Sequence, residues 1–550
     1  MKGGSFGRKA QMASSGPDEE RQPGRREGGI QFPMAHDKIS RRCFFFYGSL
    51  LAGSVPLAGS GYGRTPSLTA LGYKSPNEKL NIASIGAGGK ASSDISGCAR
   101  TENIVALCDV DSERAAQTFD RYPDVPKYND YRKMLDKEAK NIDAVIVAIP
   151  DFMHTCAAMA CMELGKHVYV QKPMARTVWE CRALTQAARY YKVATQMGNQ
   201  GYAQDGTRLC AEFIWSGLIG DVKEVHAFTN RPIWPQGPDT KLTGGPVPAT
   251  LNWDAWLGVA SERPYMKEYL PFNWRGFYDF GCGALGDMAC HVLGAPNLAL
   301  RLTAPTSVEC IKIEGQNEIT FPTKSTIKFE FPARGAMPAL TLYWEDGEKN
   351  GSPYRPEGLP PEEPLGEFSE RNIPGPIYTA LNAVAAARAA ALRGAGAAGG
   401  RAGAPAGGRA GAPAGGARPS NQAPRPPSSG SVFIGDKGVI TAGEYGGGPR
   451  LVPMSKMEDV LMPPQMLDRT PGTYNDWLAA CKGGEPACSN FDIAGPFTEW
   501  IALGVVACRI PNTKLIWDQE KMKITNNAAA NAFLTPKIRK GWKINWNVKT

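Results

Sequence analysis

Between residues 79 and about 198 the chain alternates short apolar runs with amphipathic stretches. Lys79-Leu-Asn-Ile-Ala-Ser-Ile85 leans towards strand and feeds straight into Gly86-Ala87-Gly88-Gly89-Lys90-Ala91. Ile104-Val-Ala-Leu-Cys108 and Ala144-Val-Ile-Val-Ala-Ile149 are apolar throughout, as strands covered on both faces of a parallel sheet are. His167-Val-Tyr-Val170 is a fourth such run, and the segment after Pro150-Asp151 predicts a helix to about Leu164. The alternation is that of a doubly wound, Rossmann-type α/β domain, placed at residues 76–200.

The period then changes. Thr207 to Ser216 predicts a helix ending at Gly217, whereas Val222 to Thr229 alternates with period two, as a strand with one solvated face does. Further strand-like runs at Ser307–Ile313, Thr326–Phe331, Ala339–Trp344 and Val432–Thr441 place a second, α+β domain at residues 201–550. From about 379 to 430 the pattern gives way to Ala, Gly, Pro and Arg, and Gly399–Ala406 repeats directly as Gly407–Ala414. Such a repeat buries no core and is expected to be a disordered insertion, preceded by an Ala-rich helix from about 379 to 393.

At the other end, residues 1–33 are polar and aperiodic, and are expected to be a disordered extension or a mis-called start upstream of Met34. Within residues 34–75, Ser40-Arg41-Arg42-Cys43-Phe44-Phe45-Phe46 opens a stretch without charge from Cys43 to Gly63. A basic start, an apolar middle and small residues downstream predict a secretory signal, and the paired arginines its twin-arginine type. The expected location is periplasmic, with membrane contact only if the signal stays uncleaved. That route carries folded proteins, so a dinucleotide would be loaded before export and held tightly.

Net charge alters this picture little. Of the formal +9, residues 381–430 supply six arginines and no acid, and residues 1–33 six bases against four acids, so 9 − 6 − 2 leaves about +1. A near-neutral body without a basic, aromatic-interleaved stripe excludes nucleic acid as a partner. The thirteen cysteines include no C-x-x-C pair, and they read as small buried hydrophobes rather than a disulfide or zinc framework, so no metal is expected.

Candidate chemistry falls at the strand ends. Gly86-Ala87-Gly88-Gly89-Lys90-Ala91 fits G-x-G-x-x-[G/A], which turns tightly, lets backbone approach a pyrophosphate and opens a helix towards it. Asp109, 23 residues after Gly86, is placed to bind the adenosine ribose hydroxyls, and its carboxylate favours NAD over NADP. Pro150, His154 and Lys172 complete the candidate cofactor-binding set at the carboxyl ends of later strands. Asp287 and His291 lie four residues apart on a predicted helix and so share one face. The aromatics from Trp234 to Phe280 suit either sugar stacking or core packing.

Here the chain resembles the glucose–fructose oxidoreductase, inositol dehydrogenase and MocA (Gfo/Idh/MocA) family, from about residue 79 to at least 300 and again from about 430. The usual Glu-Lys-Pro signature stands here as Gln171-Lys172-Pro173, keeping the lysine and losing the carboxylate. The resemblance implies a second domain built on a large open, mostly antiparallel sheet. It also implies that Lys172 contacts the reacting substrate or the nicotinamide ribose, and that His291 of the Asp287–His291 pair transfers the proton. The expected activity is hydride transfer from a secondary alcohol of a sugar, glycoside or cyclitol to NAD. The alternative is glycoside cleavage by oxidation, elimination, hydration and reduction, as in exported α-N-acetylgalactosaminidases. A sheet with one open face is commonly buried against a partner subunit, so a homo-oligomer is expected.

Overall fold

The computed structural model describes residues 77–347, 352, 354–397 and 429–549. The expected signal around Arg41-Arg42, the extension before Met34 and the repeat at 399–414 lie outside the described residues. Within the first domain β1 (Asn81–Ile85) turns into α1 (Lys90–Cys98), followed by β2 (Asn103–Cys108), α2 (Ser112–Arg121), β3 (Lys127–Tyr128) and α3 (Tyr131–Glu138). Next come β4 (Ala144–Val147), α4 (Asp151–Glu163), β5 (His167–Val170), α5 (Val178–Tyr191) and β6 (Thr195–Met197). The six strands are parallel, in the order β3-β2-β1-β4-β5-β6. Every residue of β4 and β5 is buried, which is why both read as unbroken apolar runs. The order reverses between β1 and β4, and open α/β sheets bind ligands in the crevice at that point.

The second domain opens with α6 (Asp205–Trp215), β7 (Val222–Thr229), α7 (Trp253–Leu257), α8 (Gly283–Val292) and α9 (Gly294–Ala299). It continues through β8 (Ser307–Glu314), β9 (Lys324–Phe331), β10 (Leu340–Asp346) and α10 (Pro376–Ala397), then β11 (Ser429–Gly435), β12 (Val439–Gly443) and β13 (Arg450–Val452). Last come α11 (Thr473–Cys481), α12 (Phe491–Arg509), β14 (Leu515–Asp518) and β15 (Lys523–Ile524). The strands form one nine-stranded sheet, β13-β12-β11-β7-β10-β9-β8-β14-β15, antiparallel except at β7–β10. Strands β9 and β10 alternate strictly between buried and half-buried positions, so one face lies against helices.

Helix α12 ties the two sheets together. Trp500 packs edge-on against Phe329 and Phe331 of β9, while Glu499 pairs with Arg182 of α5. Gly504 allows the close approach, since a Cβ there would lie 2.7 Å from Leu285 of α8. An apolar helix of this length is a core element here, buried along most of its surface. The chain after 534 then runs back over the first domain, with Arg132 over the Trp542 ring at 4.1 Å and Trp546 against Tyr190.

Two expectations change and one open alternative narrows. The single run Val432–Thr441 is two strands, because Asp436-Lys437-Gly438 makes a turn closed by Gly435 N–H donating to the Gly438 carbonyl. Strand β4 stops at Val147, two residues early, and the helix that follows starts at Asp151. The aromatic run is mainly core: Trp256, Tyr269, Phe277 and Phe280 are buried, and Phe280 meets Phe152 of α4 at 5.2 Å. That cluster seals the domains together beside the crevice.

Candidate active site

Gly86 has φ +95°, and a Cβ there would lie 2.3 Å from the Ala148 carbonyl oxygen, so only glycine lets the turn rest against the end of β4. The N–H groups of Ala87 and Gly88 donate to Asp109 Oδ2 at 2.8 and 3.0 Å, and Asp111 N–H donates to Oδ1 at 3.0 Å. Asp109 therefore shapes the glycine turn from within, where a ribose contact was expected of it. Burial raises its carboxyl above the usual range, and the three backbone donors oppose that rise. Helix α1 starts at Gly89 without a side-chain cap, which leaves its first turn open to an anion. The Arg114 guanidinium lies alongside, since a Cβ on Gly89 would come within 2.6 Å of it. An uncapped helix start, a glycine turn and a guanidinium fit a dinucleotide pyrophosphate. Arg114 escapes sequence inspection because it sits five residues beyond Asp109, on α2.

Pro150 caps α4 at the end of β4. His154, one turn later, is buried with Nδ1 2.8 Å from the Pro173 carbonyl and Nε2 2.7 Å from that of Ile149. Burial pushes its ring down to about 4 against the pull of those carbonyls. The expected cofactor contact is thus corrected: both ring nitrogens face backbone, and His154 braces the segment around Lys172.

Lys172 Nζ donates to Asp287 Oδ1 at 2.7 Å and to the Asp287 carbonyl at 2.8 Å, joining the end of β5 to α8. Arg275 Nε donates to the same Oδ1 at 3.0 Å. Burial alone would raise the Asp287 carboxyl, but the two cations hold it well below the usual carboxylate range. The partners of the Asp287 carboxylate are thus Lys172 and Arg275. His291 is 5% exposed and packs on the Tyr445 ring at 4.6 Å. Its Nδ1 is buried with no hydrogen-bond partner among the described residues. Burial, then the Lys172 cation, push His291 well below its ordinary value, so the ring is neutral at physiological pH rather than half-titrated.

The structure thus brings Lys172, Asp287 and His291 into one charge cluster, and Gly86, Ala87, Gly88, Gly89 and Asp109 into one turn. It adds residues that the sequence reading passed over. Asp151 is buried and pushed up to about 7 by desolvation, with Arg275 and Lys172 opposing. Asn199, at the end of β6, donates to the Cys290 carbonyl at 3.4 Å and leaves its buried Oδ1 unpartnered among the described residues. Tyr445 lies in a glycine-rich turn after β12, and that glycine density is the one sequence signal for a close approach there. Among the described residues no group of three or more His, Cys, Asp or Glu could hold a metal ion.

A profile described as an oxidoreductase family's NAD-binding Rossmann fold matches residues 80–199, and one described as that family's C-terminal alpha/beta domain matches residues 213–335. A glycosyl hydrolase family 109 protein of Solibacter usitatus is 28% identical over 211 residues, 36% of this chain and 47% of that one. The inositol 2-dehydrogenase of Salmonella typhimurium is 30% identical over 125 residues, 22% and 37% of the two chains. The matched stretches therefore span less than half of these relatives. The WlbA dehydrogenase of Chromobacterium violaceum, solved with NADH and UDP-GlcNAcA, superimposes at TM-score 0.50 with 13% identity, over 81% of this chain and 97% of that one. At that identity the likeness is one of fold.

Proposed function

Since the chain belongs to the Gfo/Idh/MocA oxidoreductase family and carries its NAD-binding Rossmann domain, we propose that it oxidises a secondary alcohol of a sugar, glycoside or cyclitol. The observation that carries this reading is the Lys172–Asp287 ion pair, which ties the dinucleotide domain to the helix bearing His291. A bound nicotinamide supplies the hydride acceptor. The neutral His291 imidazole takes the hydroxyl proton as general base. Lys172 directs two of its three N–H donors to Asp287, and the third serves the same substrate oxygen and steadies its developing negative charge. Asp287 holds that ammonium in place. The unpartnered Oδ1 of Asn199, beside Cys290 and His291, suits a substrate hydroxyl. Lys172→Ala and His291→Ala are each expected to lower turnover about 10²- to 10⁴-fold, measured as NADH formed from a panel of inositols and glycosides. Wild-type turnover in both variants would overturn the assignment.

The second reading, glycoside cleavage with the cofactor regenerated in each cycle, is favoured by the glycosyl hydrolase family 109 relative. Release of p-nitrophenol from p-nitrophenyl glycosides without added NAD would support it, and NADH accumulation without release would support net oxidation. A preference for NAD over NADP, tight retention of the dinucleotide, export by the twin-arginine route and a homo-oligomeric state belong to the same proposal. Mass spectrometry of the copurified dinucleotide, N-terminal sequencing of the mature chain and sedimentation test them.

A further inference from the structure

We propose that Asp94 and Gln171 form a matched carboxylate–amide pair that positions Lys172 and couples it to the dinucleotide turn. The proposal rests on the reading of Lys172 given above, and it concerns positioning residues that act through that lysine. The Glu-Lys-Pro signature has lost its acid at Gln171, yet a carboxylate still meets this position. It comes from α1: Gln171 Nε2 donates to Asp94 Oδ2 at 2.8 Å. Asp94 is fully buried and also receives the Tyr474 hydroxyl at 2.7 Å on Oδ1 and the ammonium of Lys90, one turn earlier.

The surroundings fix both partners. A Cβ on Gly198 would lie 2.6 Å from Gln171 Nε2, so the end of β6 closes directly on the amide. A Cβ on Gly97 would lie 2.5 Å from the Tyr474 ring, so α11 seats that tyrosine against α1. Four elements therefore meet at one buried carboxylate. The titratable groups facing it are Lys90, Tyr474 and Tyr169 of β5, with Cys98 further along α1. A glutamate at 171 would set two buried carboxylates at hydrogen-bond distance, and they would have to share a proton or separate. Only one of the two positions tolerates the acid, so acid and amide are exchangeable only as a unit. Helix α1 begins at the glycine turn, and Lys172 follows Gln171 directly. A shift of the pair thus moves the phosphate-facing turn and the lysine together.

The test compares Gln171→Glu, Asp94→Asn and the double variant Gln171→Glu/Asp94→Asn in the full chain. Two readouts need no substrate: NADH affinity by fluorescence titration across neutral pH, and the rate of Lys172 acetylation by acetic anhydride, read by mass spectrometry. Gln171→Glu is expected to weaken NADH binding about tenfold, increasingly as pH rises and the shared proton is lost, and to change Lys172 labelling about threefold or more. Asp94→Asn leaves Lys90 without its counter-charge and weakens both. The double variant restores both to within about threefold of wild type, because one carboxylate again faces one amide. Should Gln171→Glu fail to fold, recovery of folding and NADH binding in the double variant supports the pair, and failure to recover overturns it. Wild-type affinity and labelling in Gln171→Glu at every pH also overturns it. Lys172→Ala separates the two claims: turnover retained there sinks the assigned chemistry, whereas the exchange stands or falls on the rescue.

Discussion

Replacing Asp287 with Asn removes the one carboxylate that pairs directly with both Lys172 and Arg275 among the described residues. The side chains of Lys172, Asp287 and Arg275 are 14%, 13% and 20% exposed, so solvent screens this pairing little. Asparagine keeps a carbonyl acceptor where Oδ1 was but leaves two cations facing a neutral group. Breaking a buried pair by removing one partner costs about 3–5 kcal/mol, and the retained acceptor puts Asp287→Asn near about 3 kcal/mol. At roughly 2–4 °C per kcal/mol for domains of this size, the expected loss is about 6–12 °C in Tm. The pH dependence has a fixed sign. Because the folded-state value of Asp287 is depressed, its stabilisation is fully present above the unfolded carboxylate value and is lost as pH falls through the folded value. The Asp287 contribution to the Tm gap between wild type and Asp287→Asn should therefore be in place at neutral pH and begin to narrow below about pH 4. Differential scanning fluorimetry of both proteins across that range measures it. A gap under about 1 °C at neutral pH, or one that widens in acid, would refute the account. Removing one orphaned cation, as in Asp287→Asn/Lys172→Gln, should recover part of the loss.

Two further outcomes follow from close contacts. A Cβ in Gly88→Ala would lie 2.6 Å from both Cγ and the backbone oxygen of Arg114, so the turn must move off α2. NADH affinity should fall at least about tenfold, worth 1.4 kcal/mol, and an unchanged fluorescence titration would contradict this. Deleting residues 535–550 removes Trp542, Trp546 and the Arg539 side-chain bond to the Gly258 carbonyl, 2.8 Å long. These rings are half-buried, so the expected loss is about 3 kcal/mol, read as a lower Tm; an unchanged Tm would show the strap to be idle.

How much of this could be read from residues alone depended on how local the deciding physics is. Strands β4 and β5 were legible because burial on both faces writes itself into every position. Strand β3 was not, since two residues carry no period. Helix α12 was missed because it is apolar on nearly all sides and holds Gly495, Pro496 and Gly504, a pattern neither amphipathic nor strand-like. The glycine turn was legible from spacing. Lys172, Asp287 and His291 were picked out by resemblance and spacing, but the Lys172–Asp287 pairing was not. Whether Asp109 faces a ligand or the backbone of its own turn depends on a loop 22 residues away, and Asp94 meets Gln171 across 77 residues. No periodicity encodes such meetings.

The same contacts that assemble the crevice also set its acid–base state. The Lys172 cation depresses His291, while the Asp287 carboxylate opposes that effect. Loss of Lys172 should therefore raise the imidazole towards its ordinary value, and loss of Asp287 should lower it further. The ion pair is also the link between β5 and α8, which α12 holds from behind through Glu499 and Gly504. A neutral base beside a cation is what abstraction of a hydroxyl proton requires, because the base must be unprotonated and the oxygen must be steadied. On the proposed reading a single carboxylate serves both needs. It holds the ammonium against the crevice, and it moderates the depression of the histidine one helical turn away.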